Sequence, residues 1–574
     1  MAASTRPQES ADESWMTSGA GHPRRWAVLA WLVVSLLIVV LDNTVLNIAL
    51  PIIQKDLDAS QGELVWAIDS YILVFAALLF TWGVIGDRIG RKRVLVIGLI
   101  TFAVASAFCA FSVSSGMLIA SRAVMGVGGA AVMPTTLAII TVVFPPHERG
   151  KAIGMWAGAV GAAVALGPVL GGLLLQNPSW TDWLTGNDWG SVFLINVPIV
   201  IIGLIGILRV VPETRNPSPR KLDIRGVVIS AAGLGLLVYG IIHASSTRNW
   251  LDLGVILPSL AGIALLVIFV LLERRSDHPS FDVSLFRNRG YAVSLAAVTL
   301  GFFALSGITF VLPFYFQIIR GFDVLIAGVC FVPFAVGQIL AAPRSAAMVK
   351  RFGYRLVMTT GLAIVAAALA AMAFIEVQTP LWVLLLIFFA FGFGMGNVIA
   401  PGSTVMQNVL PLARAGAGSA VQNTVRQVGG ALGVAIVGTV LATQYAQNLT
   451  AALPAAFPAP LADAAKQSLV ATDAILDRVA QQGLPVPAVD ALRNGAYDAF
   501  LQAAHVTTLI ALAVAVIAAL IVGFGLPYIT PPTRQVEKGK APAPVDAADE
   551  LVIREAQSYR QEAAAEIVPG TDRE

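Results

Sequence analysis

The stretch "VVLDNTVLNIALP", Val39 to Pro51, places Asp42, Asn43, Thr44 and Asn47 inside an apolar run that begins near Trp26. A run of about 25 residues exceeds the ~7–15 of a signal-peptide core and meets the ~17–25 needed to cross a bilayer. It is read as a retained first membrane span, preceded by a polar cytoplasmic tail that ends in Arg24 and Arg25. A charge at the bilayer centre costs at least ~2.5–3.5 kcal/mol on insertion scales, so Asp42 needs a reason to be there.

The rest of the chain explains the setting. Of 574 residues, 57% are hydrophobic and 12% charged, with a mean hydropathy of +0.78. Soluble domains carry about 25% charged residues. A deficit of this size means a lipid-facing skin, hence an all-α polytopic membrane protein. The net charge of +3 points to no nucleic-acid partner. Cys109 and Cys330 lie in or beside apolar segments far apart in sequence. They read as small buried hydrophobes, with neither metal spacing nor a disulfide framework.

By length, the chain offers about fourteen spans, near residues 26–50, 64–86, 93–113, 116–144, 151–175, 191–211, 224–244, 251–272, 290–318, 325–348, 356–375, 380–409, 418–445 and 499–528. Lys and Arg collect in every second loop: "DRIGRKR", then Arg149 and Lys151, then Arg215, Arg220, Lys221 and Arg225, then Arg274, Arg275, Arg287 and Arg289, then Lys350, Arg351 and Arg355. Lys55, Arg248 and Arg320 are nearly all that the short alternate loops hold. The basic loops are therefore cytoplasmic and both termini are inside. Residues 446–498 form one long external loop, in which "LADAAKQSLVATDAILDRVAQQ" has helical spacing of apolar positions. The tail from 531 to 574 is rich in Pro, Glu and Ala and is expected to be disordered.

The hairpin "GDRIGRKRVL" has an echo, "VKRFGYRLVM", eight spans later. With spans seven and eight taken as an insertion, two six-span halves remain, the plan of secondary transporters with a substrate site between repeats. The expected division is a tail over 1–25, a first half over 26–211, two linker helices within 212–289, a second half over 290–530 and a cytoplasmic tail over 531–574.

Asp42, Asp69 and Arg122 are the ionisable residues that stand out within spans. Asp42 lies ~13 Å from the outer end of its span and Asp69 ~8 Å from the outer end of the next, at 1.5 Å per residue. Adjacent antiparallel helices then hold the acids at similar depth, where two carboxylates cannot both ionise cheaply. Such an acid can exchange a proton for a cationic compound. A structural acid held by Arg122 or nearby amides is the competing reading for Asp42, and proximity to headgroups is that for Asp69. Asn423, Arg426 and Gln427 make a polar face in the second half. Asn43, Asn47, Trp66 and Tyr71 are candidate cavity residues, although aromatics also form interfacial belts.

Several motifs carry a resemblance. "GVIGDRIGRKR" holds Gly83, Asp87, Arg88, Gly90 and Arg91; "SRAVMGVGGAA" holds Arg122; "GAAVALGPVLGG" holds Gly167, Pro168, Gly171 and Gly172; "WGSVFLINVP" and "NTVRQVGGALGVAI" follow in order. Together with "VVLDNTVLNIALP" they resemble the major facilitator superfamily, and within it the fourteen-span drug:proton antiporters of the EmrB/QacA type, over roughly residues 26–530. Two positions depart from the pattern: Met125 stands where a Gln is usual and Gly190 where an Arg is usual. The resemblance implies a facilitator fold in the cell membrane and export of amphipathic, often cationic, small molecules by alternating access. It implies no enzymatic activity, no cofactor and a proton gradient as the driving force. It makes the hairpin a latch of the outward-facing state, the Gly-Pro motif a mark of antiporters, and Arg122 part of proton coupling. The chain is read as a monomer whose partners are its substrate, protons and the bilayer. Export of one endogenous metabolite, antibiotic or lipid fits the same motifs, and a non-transporting sensor is a further alternative. No Gly-rich Lys motif for nucleotide binding is present.

Overall fold

The computed structural model describes residues 21–215, 223–247, 249–275, 283–408, 415–454, 457–481 and 485–528. The expectation for the tail at 531–574, and those for Arg220, Lys221 and Arg248, lie outside the described residues. The long helices are α1 (Arg25–Asp56), α2 (Gln61–Ile89), α3 (Arg91–Ala110), α4 (Ser115–Val143), α5 (Pro146–Gln176), α6 (Asn196–Val210), α7 (Ile224–Thr247) and α8 (Leu253–Arg275). They continue with α9 (Arg289–Phe314), α10 (Val332–Met372), α11 (Leu381–Asn408), α12 (Ala415–Ala452), the shorter α13 (Leu469–Gln481) and α14 (Val486–Gly525). Twelve helical segments among the described residues are long and apolar enough to cross a membrane.

Helix ends follow local chemistry. Ser60 and Glu63 form a reciprocal capping box that starts α2, and Ser114 caps α4 through the Met117 N–H. Gly90, at φ 116°, separates α2 from α3. Gly353, at φ 80° and ψ 161°, breaks α10 at the matching place in the echoed hairpin. Both are backbone conformations that glycine adopts at little cost.

The packing repeats as well. In the first half α1 packs on α5, and α2 and α3 pack on α4; eight spans on, α9 packs on α12 and α10 on α11. Both arms of α10 meet α11: Gly337 sits against Phe389 and Phe393, Gly361 against Gly394 and Asn397. The linker helices α7 and α8 pair with each other, and α7 also touches α2 and α12. The apolar side chains Leu257, Leu260, Ile263 and Val267 of α8 are exposed, as are Ile97, Ile100, Val104 and Phe108 of α3. Stripes at that spacing are faces turned toward lipid.

The two halves meet at the end remote from the basic hairpins. There Gln176 donates to Asp323 at 2.6 Å and Gln317 donates to the Ile48 carbonyl at 2.8 Å. The described residues of the segment 446–498 fold onto this end. In α13, Leu469, Val470, Ile475 and Leu476 are buried, and Arg493 of α14 pairs with Asp473 at 2.8 Å and Asp477 at 2.5 Å. The stretch with helical spacing forms two helices rather than one, Ala459–Ala465 and α13, separated at residues 466–468, and α14 begins 13 residues before the expected span start.

Candidate functional site

Asp42 is buried on α1 and forms an ion pair with Arg122 of α4; both side chains are wholly shielded from solvent. Its second oxygen accepts from Asn196 Nδ2 at 3.1 Å, and Asn196 also donates to Ser106 Oγ at 3.0 Å. Ser106 Oγ in turn donates to the Phe193 carbonyl at 2.8 Å. Arg122 donates through Nε to the Ala67 carbonyl at 3.1 Å and touches Met125 Sδ at 3.7 Å. Its guanidinium lies 4.4 Å from the centre of the Tyr71 ring. Buried charges persist only when paired and hydrogen-bonded, and this network supplies both.

The pair of neighbouring acids expected from depth alone is replaced by an acid–arginine pair. The reason is helical phase. Tyr71 stacks under Arg122, and two residues along an α-helix are roughly 200° apart, so Asp69 points away from that side. Val65, one turn earlier on the Asp69 face, lies against Gly438 of α12. Asp69 is fully buried on this face, and neither carboxylate oxygen has a hydrogen-bond partner among the described residues. Tyr71 is thereby corrected as a free cavity aromatic, because the cation it stacks on belongs to the protein. Its burial against Gly126 and Gly129 leaves no face for a ligand.

The remaining candidates divide. Asn43 and Thr44 bond back to the carbonyls of Val39 and Leu41 at 3.3 and 2.9 Å. Asn47 and Trp66 are half-buried, as are Asn423, Arg426 and Gln427 on α12. The glycines of α5 are contact points: a Cβ on Gly167 would fall 1.8 Å from Thr44 Oγ1, and one on Gly171 would fall 3.0 Å from Val45. Gly172 faces Leu325, and the Pro168 carbonyl faces Gly328, on the short helix Val324–Val329 ahead of α10. This stretch of α5 thus rests on α1 at one side and on the second half at the other.

In the hairpin, Arg91 binds Asp87 at 2.8 Å and donates to the Ala138 carbonyl at 3.2 Å. Gly83 sits beside Pro134 of α4, and Arg88 lies at the end of α2. Glu213, beyond α6, closes over the turn: it accepts from the Lys92 N–H at 3.1 Å, lies 3.7 Å from Arg93, and occupies the space a Cβ on Gly90 would need.

The defining pattern described as "Major Facilitator Superfamily" matches residues 32–434, more than half of the chain. The chain belongs to the major facilitator superfamily. This facilitator is 33% identical, over 87% of its own length and 96% of the relative's, to the "Multidrug efflux pump LfrA" of Mycolicibacterium smegmatis. It is 32% identical to the "Tetracenomycin C resistance and export protein" of Streptomyces glaucescens, over 73% of this chain and 77% of that one. It is also 32% identical to the "Methyl viologen resistance protein SmvA" of Salmonella typhimurium, over 76% and 86%. A solved bacterial homologue of the human lysosomal transporter Spinster shares the fold, with a TM-score of 0.60 at 17% identity over 87% of this chain and 98% of that one. The facilitator is a multi-pass membrane transporter of small molecules and not an enzyme.

Asn196, Ser106 and Glu213 were not singled out from the sequence. Asn196 stands inside the quoted "WGSVFLINVP", so its amide beside a proline was the available signal. Ser106 and Glu213 carried none, because a span serine and a loop glutamate are ordinary until the fold brings their partners to them.

Proposed function

We propose that this facilitator is a proton-coupled exporter of amphipathic small molecules, with fourteen spans and both termini cytoplasmic. The fourteen follow from the twelve apolar segments when Val324–Met372 is divided at Gly353 and the 31-residue α5 is added. The basic hairpins then mark the cytoplasmic side, and closure at the opposite end makes this the inward-open state. Two six-helix halves, with α7 and α8 between them, work as a monomer without a cofactor.

One observation carries the coupling: Asp69 is buried with no hydrogen-bond partner among the described residues, on the face of α2 that meets the second half. Its charge must be neutralised by a proton or by a cationic group of the cargo, which is the exchange an antiporter performs. Asp42 and Arg122 form a switchable lock on the other side of α2, since a proton on Asp42 would release Arg122. The drug-resistance relatives support export, and cationic compounds are the expected cargo class.

The test is dye movement into inverted vesicles under an imposed proton gradient. Asp69→Asn should abolish gradient-driven accumulation while leaving dye exchange at equal pH. Full gradient dependence in Asp69→Asn would refute its role, and the same result in Asp42→Asn would refute the lock.

A further inference from the structure

Helices α9 to α12 contain no carboxylate at all; the acids between Arg289 and Ala452 are Asp323 and Glu376, both in turns at the closed end. Yet α12 carries Arg426 deep in the molecule, with Nε buried and without a hydrogen-bond partner among the described residues. Among the described residues no acid forms an ion pair with it. The contact of Val65 with Gly438 sets the register of α2 against α12. Counted from that contact, Asp69 is four residues deeper and Arg426 twelve, which leaves the two about 12 Å apart along the helix axes. Asp42 is already held by Arg122.

The seat of Arg426 is built. Its guanidinium lies 4.9 Å from the centre of the Phe302 ring on α9. Gly429 and Gly433 allow α12 this close to α9, since a Cβ on either would meet the Thr299 or Phe303 carbonyl at 2.6 or 2.3 Å. A guanidinium held over a ring by this cation–π contact still has N–H donors to offer, the fork that binds a carboxylate through two hydrogen bonds. Arg426 is half-buried, so part of the residue remains exposed. Water can solvate it while the cavity is open, but closure around cargo removes that water. A cation left unpaired then costs several kcal/mol.

We propose that Arg426, seated on Phe302, recognises an acidic group of the transported compound, so that carboxylate-bearing amphiphiles, zwitterions included, are favoured cargo. This rests on the transport reading above and gives the cavity poles of both signs, with Asp69 for a cationic group and Arg426 for an anionic one.

The experiment uses two matched xanthene dyes, one with a free carboxylate and the other its methyl ester. Both are measured for gradient-driven uptake in proteoliposomes and for binding to the purified protein by fluorescence anisotropy. The expected result is that Arg426→Gln weakens binding of the acid dye at least tenfold and leaves the ester within twofold, while Arg426→Lys keeps part of the preference. Unchanged ester binding also shows that the variant is folded. Equal loss of both dyes, or an acid dye indifferent to Arg426→Gln, would overturn the proposal while gradient-driven ester uptake leaves the transport reading standing. No gradient-driven movement of either dye by the unaltered protein would refute the transport reading instead. Acid-dye binding that phosphatidylglycerol weakens in the unaltered protein but not in Arg426→Gln would give the anion site to lipid phosphate and overturn the assignment to cargo.

Discussion

At the scale of single residues, Asp42, Arg122 and Asp69 are buried within spans in two different situations. Asp42 and Arg122 satisfy one another with help from Asn196 and the Ala67 carbonyl, whereas Asp69 has no hydrogen-bond partner among the described residues. The two situations predict different responses to neutral replacement. Removing Arg122 alone strands a buried carboxylate, and Arg122→Ala should lower stability by about 3–5 kcal/mol. The double variant Asp42→Asn with Arg122→Gln should recover much of that loss, as read by thermal unfolding in detergent. A double variant no more stable than Arg122→Ala would show that the pair is not the source of the cost. Asp69→Asn should hold or raise stability in the same assay, because it removes a charge that nothing pairs.

At the scale of elements, glycine decides how close the helices come. Gly172 of α5 leaves no room for a methyl group: its Cβ would lie 2.7 Å from the Leu325 Cα and 2.8 Å from the Val324 carbonyl. Backbone cannot yield as a flexible side chain does, so Gly172→Ala should part α5 from Val324–Val329. Spin labels at Leu173 and Ile326, both exposed, should report a longer distance and a larger population open at this end. Gly353 makes a different demand. Its φ of 80° and ψ of 161° form a region that is essentially glycine's alone, and Gly353→Ala should cost about 1–3 kcal/mol. Because the nearest atom to a Cβ there is 3.9 Å away on Tyr528, this loss would come from backbone strain and should be visible as a lower midpoint of thermal unfolding.

At the scale of the whole molecule, the halves are tied at one end by Gln176 to Asp323 and Gln317 to Ile48. Asp87 of the hairpin is turned back onto Arg91. Both features fit the inward-open state proposed above. Cys109 and Cys330 are buried, so a cysteine placed at half-buried Asn423 can be followed above a silent background. It should react with a membrane-impermeant maleimide in inverted vesicles and stay protected in right-side-out ones. Labelling from the outside would place the opening at the other end. Gly172→Ala should shift the pattern toward outside labelling, which links the element scale to this one.

By itself the sequence determined the all-helical membrane architecture, the family and the repeated hairpin. Those follow from composition, from apolar length and from motif order, which need no knowledge of what touches what. Helix phase already implied that Asp69 and Tyr71 lie on opposite sides of α2, but not which side meets Arg122 and which the second half. Only the tertiary structure decided that Asp42 is met by Arg122 rather than by Asp69, that Asn196 and Glu213 serve these motifs, and that Arg426 has no acid to answer it among the described residues. The reason is that lipid penalises a buried charge wherever it lies along a span, while the partner that relieves it comes from a distant segment, set by how the helices turn and pack.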